Sequence, residues 1–257
     1  MFILQAGFKL KYLNMKMRSF LLSSLAVLLF LAGVLLQLSL SGGVVWGEIE
    51  ASIYGTQATG GGLNLNCPLM LAPSESSMVT AAITNSLDEP VLPTITTEIS
   101  KIGVKQSLRQ TLSLAPHETR IVQWPINNSD LIFDRLILVN VIQGRYGDLD
   151  PQHGFCGILV FNLFNLTGNE SFSLMFISGI VLILVSGTLW QRIHEPLDDL
   201  AEQTLQACGG LAGVTTLALL TALPRWWGLT LCLDAFALIM LSVIFTDFLL
   251  FPQHHRG

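Results

Sequence analysis

The chain has 257 residues, of which 51% are hydrophobic and only 12% charged, with thirteen basic residues against eighteen acidic ones and a mean hydropathy of +0.59. Soluble domains carry roughly 25% charged residues and nucleic-acid binders a basic excess, so these figures exclude an ordinary water-soluble protein, a disordered chain and a nucleic-acid partner. The apolar residues gather in four runs, and a long segment of different composition separates the first from the second.

Residues 1–19 carry Lys9, Lys11, Lys16 and Arg18, which by the positive-inside rule places them in the cytoplasm. Residues 20–40 form the first expected transmembrane helix; FLLSSLAVLLFLAGVLLQL contains no charge and is long enough to cross about 30 Å of hydrocarbon. The apolar stretch exceeds the usual signal-peptide core, which favours an uncleaved signal anchor, while the small residues Ser39 and Ser41 leave a cleaved signal as the alternative. Under either reading, residues 41–171 lie outside the cell.

That outer segment holds twelve acidic and six basic residues and has the composition of a soluble domain. From Val44 to Leu163 no helical periodicity is visible, whereas short stretches rich in Val, Ile, Thr and Leu recur between turn residues. A first outer strand precedes a Gly-rich connector (GTQATGGG, residues 55–62). Further strands are expected around Val79, Ala81 and Ile83; Ile95, Thr97 and Ile99; Leu108, Leu112 and Leu114; and Val122, Trp124 and Ile126. Ile137, Val139 and Val141 make a strand with apolar residues on both faces, and residues 156–163 make the last. Seven or eight strands in this length is the arithmetic of an immunoglobulin-like or fibronectin-like β-sandwich, here inserted between the first and second helices.

The stretch LAPSESSMVTAAITNSLDEPVLPTITTEIS, followed by LSLAPHETRIVQWPI, resembles the Ig-like modules of bacterial surface proteins. There, a Pro-bounded strand precedes an I-x-N strand and an L-x-P-x-E turn leads into the next. The resemblance covers about 60 residues. It implies the sandwich fold and, by analogy, a role in adhesion or assembly.

Of four cysteines, Cys67 and Cys156 lie in the outer segment and are expected to form a disulfide; closing so long a loop removes roughly 4 to 5 kcal/mol of denatured-state entropy in the chain-entropy account. The segment RYGDLDPQHGFCG reads as a long hairpin loop, in which Asp148, Asp150 and His153 are the candidates for a partner or ion contact. Cys156 with His153, Asp148 and Asp150 is the alternative metal or redox site. No further Cys or His stands at ligand spacing, so no metal and no cofactor are expected. In the outer segment His117 and His153 are the only candidate bases, neither a G-x-S-x-G elbow nor an H-E-x-x-H helix is present, and no catalytic residue is assigned. Asn-x-Ser/Thr sequons stand at Asn127, Asn165 and Asn169.

Residues 172–190 form the second transmembrane helix, 191–206 a cytoplasmic loop with a short amphipathic helix, 207–223 the third span, 226–251 the fourth and 252–257 a cytoplasmic tail. Pro196, Asp198 and Asp199 mark a helix start, with Leu197, Ala201 and Leu205 on one face. Trp190, Trp226 and Trp227 are interface anchors; Arg192 and Arg256 fit the orientation and Arg225 does not. Asp234 stands eight residues into the fourth helix, where an ionised carboxylate costs on the order of 2 to 3 kcal/mol. Thr215 and Thr216 fall at the same depth on the third helix and are expected to hydrogen-bond to it as a structural clamp; proton or ion transport is the alternative. Arg192 and Asp247 are level with each other and form a candidate interfacial ion pair. Gly209-x-x-x-Gly213 gives the third helix a small-residue packing face.

The expected protein is therefore a non-enzymatic, multi-pass protein of the cell membrane. Its partners are the lipid bilayer and another membrane or envelope protein, bound by the extracytoplasmic sandwich. The alternatives are a small transporter or signal-transducing subunit that uses Asp234, and an exoplasmic metal or redox protein.

Overall fold

The computed structural model describes the backbone of residues 2–54, 61–101, 106–194 and 199–250, with their side chains except at 2–16, 18, 19, 61, 200, 245 and 247–250. In chain order the elements are helix α1 (Phe2–Tyr54), strands β1 (Gly61–Gly62), β2 (Leu65–Asn66), β3 (Met70–Leu71), β4 (Ser77–Thr84), β5 (Thr94–Ile99), β6 (Gln106–Thr111), β7 (Thr119–Ile126), β8 (Leu136–Gln143) and β9 (Gln152–Val160), then helices α2 (Gly168–Ile193), α3 (Asp199–Ala222) and α4 (Trp227–Leu250). The chain divides into two compact units. One comprises Met1–Ser41, Leu174–Thr221 and Gly228–Gly257; the other comprises Gly42–Ser173 and Ala222–Trp227. Helix α1 contributes to both.

In the helical unit, all four helices are long and apolar enough to cross a membrane, which is the pattern of a multi-pass membrane protein. Val34 of α1, Leu211 of α3 and Ala237 of α4 are buried together, with Phe30, Ile183 and Met240 packed around them. Leu28, Leu184, Ile239 and Val243 point outward, as apolar residues do when the surrounding solvent is lipid. Helices α1 and α2 approach most closely at glycines. A Cβ on Gly33 would stand 2.8 Å from the Gly179 carbonyl and from Ile183. A Cβ on Gly209 or Gly213 of α3 meets nothing within 4 Å, so neither glycine packs closely against a neighbour among the described residues. The residues from Pro196 to Asp198 lie outside the described set, and α3 begins with Asp199 and Glu202 in its first turn.

The other unit is built on two sheets. The larger has the order β1-β9-β8-β5-β6, with β3 also on β9, and the smaller has the order β2-β4-β7. Alternation produces the core between them. Val79, Ala81 and Ile83 of β4 and Val122, Trp124 and Ile126 of β7 face Ile95, Ile99, Val139, Val141 and Ile158 of the larger sheet. The strands expected at Leu112 and Leu114 end earlier, since β6 stops at Thr111 and Leu114 makes an isolated bridge to Val91.

The expected outer strand is not formed: Val44 to Tyr54 is helix, continuous with the first apolar span in α1. The β-branched residues of VVWGEIEASIY suggest a strand, but four-residue spacing puts Gly43, Gly47 and Ala51 on one side of a helix. That side lies on β8 and β9. Gly43 faces Leu159, Gly47 faces Gly157, and Ala51 is buried with Leu136 and Leu138. β8 is consequently buried on both faces, against the sandwich core and against α1. β9 also begins earlier than expected, at Gln152, so that His153 belongs to a strand and not to a loop. Of the Gly-rich connector, residues 55–60 lie outside the described set, while Gly61 and Gly62 pair with Gln152 and His153.

A methyl group on Gly157 would overlap the Gly47 backbone, and backbone cannot swing aside as a flexible side chain can. Gly157→Ala is therefore expected to destabilise the protein by about 3 kcal/mol, the upper range for overpacking, and Gly47→Ala by less, since its Cβ would stand 3.4 Å from Gly157. Thermal unfolding of the detergent-solubilised variants checks the order; equal melting temperatures would contradict the close contact.

Candidate functional site

A group of buried polar side chains in the helical unit meets at Gln37 of α1. Its Oε1 accepts hydrogen bonds from Thr215 Oγ1 at 2.8 Å and Thr216 Oγ1 at 3.3 Å. One turn further along α1, Ser41 Oγ lies 3.1 Å from the Gln37 carbonyl and 2.9 Å from Asp234 Oδ1 of α4, to which it donates. Asp234, Thr215 and Thr216 thus belong to one buried network, as their depth suggests, but the hydroxyl that meets Asp234 is Ser41's and the threonines serve Gln37. Gln37, Ser41 and Thr215 are fully buried and Asp234 nearly so. Gln37 Nε2 alone in this network has no hydrogen-bond partner among the described residues. Nearer the α3–α4 turn, the Thr221 and Thr230 hydroxyls lie 3.0 Å apart.

In the two-sheet unit, the strongest buried charge contact runs from Arg225 to Glu48. Arg225 occupies the turn after α3 with φ of 60°, and its Nη1 donates to Glu48 Oε1 on α1. Its Nη2 donates to the carbonyls of Cys67 and Pro68 at 3.1 and 3.3 Å. Burial pushes the guanidinium down to about 10, which still leaves it charged at neutral pH. Cys67 is itself joined to Cys156 of β9 by a disulfide, with the Cα atoms 6.6 Å apart.

A second polar line crosses the face of the larger sheet that α1 covers. Asn140 Nδ2 on β8 donates to Glu98 Oε2 on β5 at 3.0 Å, and Asn140 Oδ1 accepts from His153 Nε2 on β9. Because an amide oxygen only accepts, this contact fixes the imidazole proton on Nε2. Desolvation holds His153 below the ordinary imidazole range, opposed by the negative charge of Glu98. His153 is therefore occupied within the sheet and is not a loop contact. Asp148 and Asp150 remain exposed beside the Tyr146–Leu149 bridge. Among the described residues no three His, Cys, Asp or Glu side chains stand together as a metal site. Arg192 is exposed, and the Asp247 side chain expected to meet it lies outside the described residues.

The outer face of β4 and β7 is the exposed surface of the smaller sheet. Met78 stands opposite Pro125 and Ala82 opposite Ile121, and all four are exposed, Ile121 by 65% and Met78 by 50%. Thr80 and Gln123 pair between them. An apolar patch among polar neighbours on a sheet face has no packing role within this unit.

Two expected outcomes follow from these contacts. Arg225→Met leaves Glu48 buried without its cation and should destabilise by about 3–5 kcal/mol, with partial recovery in Arg225→Met/Glu48→Gln; denaturant unfolding in detergent checks both, and an unaffected single variant would show the pair to be dispensable. His153 binds fewer protons folded than unfolded between its lowered folded value and about pH 6.5, so its contribution is present above that pH and lost as pH falls through the window. Melting temperatures at pH 7.5 and 5.0 should fall with acidification, and His153→Gln should flatten that slope; an unchanged slope would assign it to other groups.

No family model matches the chain, and no curated protein matches it. Solved structures match part of it. A cycloisomaltooligosaccharide glucanotransferase from Paenibacillus sp., complexed with cycloisomaltoheptaose, aligns at 18% identity over 41% of this chain, with a TM-score of 0.32. A β-glucosidase from Erythrobacter marinus aligns at 13% identity over 40%, with a TM-score of 0.29. The matched part spans 15% of each of those two proteins. The CARDB domain of a Pyrococcus furiosus protein, in complex with di-metal ions, aligns at 13% identity over 41% of this chain and 95% of its own length, with a TM-score of 0.31. Likeness at these TM-scores carries no argument about fold or function.

Proposed function

We propose that the protein is a non-enzymatic, multi-pass membrane protein whose two-sheet domain faces the extracytoplasmic side and binds another membrane or envelope protein. The observation that carries this reading is the exposed patch of Met78, Ala82, Ile121 and Pro125 on the smaller sheet. Two apolar pairs in register across two strands, Met78 with Pro125 and Ala82 with Ile121, flank the polar pair Thr80 and Gln123 and give a partner a rigid contact surface at no cost in loop ordering. The partner is a protein with a complementary apolar surface.

Strand order supports an immunoglobulin- or fibronectin-like identity for the domain. Counting from β2 without the two-residue β3, the first, second and fifth strands form one sheet, and the third, fourth, sixth and seventh form the other. This is a Greek-key partition of a sandwich. The Cys67–Cys156 disulfide supports an oxidising, extracytoplasmic compartment, with residues 20–40 acting as a signal anchor. Arg225, the one basic residue at odds with that orientation, is paired with Glu48 and so loses its weight as a topological signal. The hydrogen bond from Ser41 supports a structural role for Asp234 over transport.

Cross-linking in native membranes followed by purification of the full chain tests the reading. The wild type should retain a protein partner that Met78→Lys/Ile121→Lys loses, with the melting temperature unchanged because both side chains are exposed. Equal partner recovery from both proteins would reject the patch as the contact.

A further inference from the structure

The end of the larger sheet at which β9 stops carries three uncovered phenylalanines: Phe133 is 66% exposed, Phe161 46% and Phe164 83%. Two of them occupy turns that disfavour them. Phe133 and Asp134 have φ of 51° and 57°, and the Arg135 amide donates to the Ile132 carbonyl at 3.2 Å. Phe164 and Asn165 have φ of 49° and 59°, and the Leu166 amide donates to the Leu163 carbonyl at 2.9 Å. Two successive left-handed residues closed by such a bond mark a type I′ turn, which Gly, Asn and Asp favour. Asp134 and Asn165 suit the second central position, whereas a bulky side chain at positive φ is an outlier. The same conflict between ring and backbone, met twice at one end of one sheet, is sustained by a gain from outside the turns.

The two turns are neighbours, and α1 sets the direction in which they lie. The Val160 amide donates to the Arg135 carbonyl at 2.8 Å, so the chain that leaves β9 passes the first turn and leads through Phe161 into the second. Along β9, Gly157 lies on Gly47 and Leu159 on Gly43, a step of four helical residues, or about 6 Å, toward the apolar run of residues 20–40. Glu48, next to Gly47, is held by Arg225, and Trp226 and Trp227 follow Arg225 in sequence. The Leu159 end of the sheet is thus displaced from the Arg225–Glu48 pair toward the bilayer. Three residues after Asn165, Gly168 opens α2, which is itself long and apolar enough to cross. We propose that Phe133, Phe161 and Phe164 are seated in the lipid leaflet next to the two-sheet unit and hold that unit down on the bilayer. Withdrawal of three rings from water offsets the strain of the turns. A protein could cover these rings only by entering between the sheet end and the lipid into which α2 passes, so the occupant is lipid. The inference rests on the helices crossing a membrane and is independent of the Met78 and Ile121 patch.

The full chain in phosphatidylcholine vesicles, spin-labelled at single cysteines, tests the proposal. Cys208 and Cys232 are replaced by Ser, and the Cys67–Cys156 disulfide is kept. Phe133→Cys and Phe164→Cys suit their exposed, left-handed positions no worse than Phe does, so both variants should fold. Relaxation of each label by molecular oxygen, which concentrates in lipid, is compared with relaxation by a nickel chelate, which stays in water. Ile121→Cys, at 65% as exposed as Phe133, is the aqueous reference, and Ile177→Cys, exposed on α2, is the lipid reference. The ratio of oxygen to nickel effects at 133 and 164 should exceed that at 121 several-fold and approach that at 177. Ratios equal to that at 121 overturn the proposal, and so do labels reached by neither reagent, which would show protein covering the rings. The unsubstituted chain gives a second measurement with a phosphatidylcholine that carries a diazirine near the glycerol end of its acyl chain. Adducts on peptides bearing residues 132–135 and 161–166 are expected, and adducts confined to the helices overturn the proposal.

Discussion

Backbone-to-backbone contact between Gly47 and Gly157 sets the architecture of the two-sheet unit. With no side chain on either partner, helix and strand meet at a separation that no other residue pair permits. The helix is thereby fixed against β9, and the neighbouring contacts follow from it: Gly43 on Leu159, and Ala51 over Leu136 and Leu138. A sheet face that would otherwise need polar residues can then be apolar, and six consecutive residues of β8, from Leu136 to Val141, are buried. Glu98 and Asn140 lie in this covered face as well, so their mutual hydrogen bond forms away from competing water.

Burial of polar groups is resolved in the same way in both units, by partners remote in sequence. Glu48 and Arg225 are 177 residues apart, Gln37 and Thr215 178, and Ser41 and Asp234 193. A buried ion pair of this kind contributes less to net stability than to specifying one arrangement, because desolvation offsets much of the attraction. Arg225 adds two backbone carbonyls to its contacts, which fixes the position of the segment around the Cys67 disulfide. The Glu75 carboxylate does comparable work nearby, accepting from the Ala72 and Gly168 amides and so joining the start of β4 to the first turn of α2.

These separations explain what the sequence made legible. Long apolar runs announce helices whatever their neighbours, so α2 and α4 are found to within about four residues, whereas α3 begins eight residues before the expected 207, at Asp199, and takes in the short amphipathic helix expected ahead of it. Strict alternation at Val79, Ala81 and Ile83, and at Val122, Trp124 and Ile126, reports one buried and one exposed face, which is local information. The Cys67–Cys156 link follows from counting. The helical extension from Val44 to Tyr54 was hidden because Val44, Val45, Ile49 and Ile53 have strand propensity, and the Gly43, Gly47, Ala51 stripe means little until the surface it covers is known. His153 followed Asp148, Asp150 and Pro151, whose turn chemistry extended too far into β9. Gln37 is one amide in an apolar run, and only the threonines of a distant helix make it a centre. The glycines of α3 match a packing motif but face open space, since a motif records the absence of a side chain and not what approaches it.

The Gly47–Gly157 contact also constrains the order of biosynthesis. The 109 residues between the two glycines must leave the ribosome before the helix has a surface to rest on, and β9, which supplies Gly157, is the last strand made. Until then the Gly43, Gly47 and Ala51 stripe, the outer side of β8 and the Glu48 carboxylate are all uncovered. Contacts of such long range form late and leave partly built species prone to aggregation. Arg225 is made later still, so Glu48 remains uncompensated until the turn between the last two helices has been synthesised, and completion of the two-sheet unit waits on nearly the whole chain.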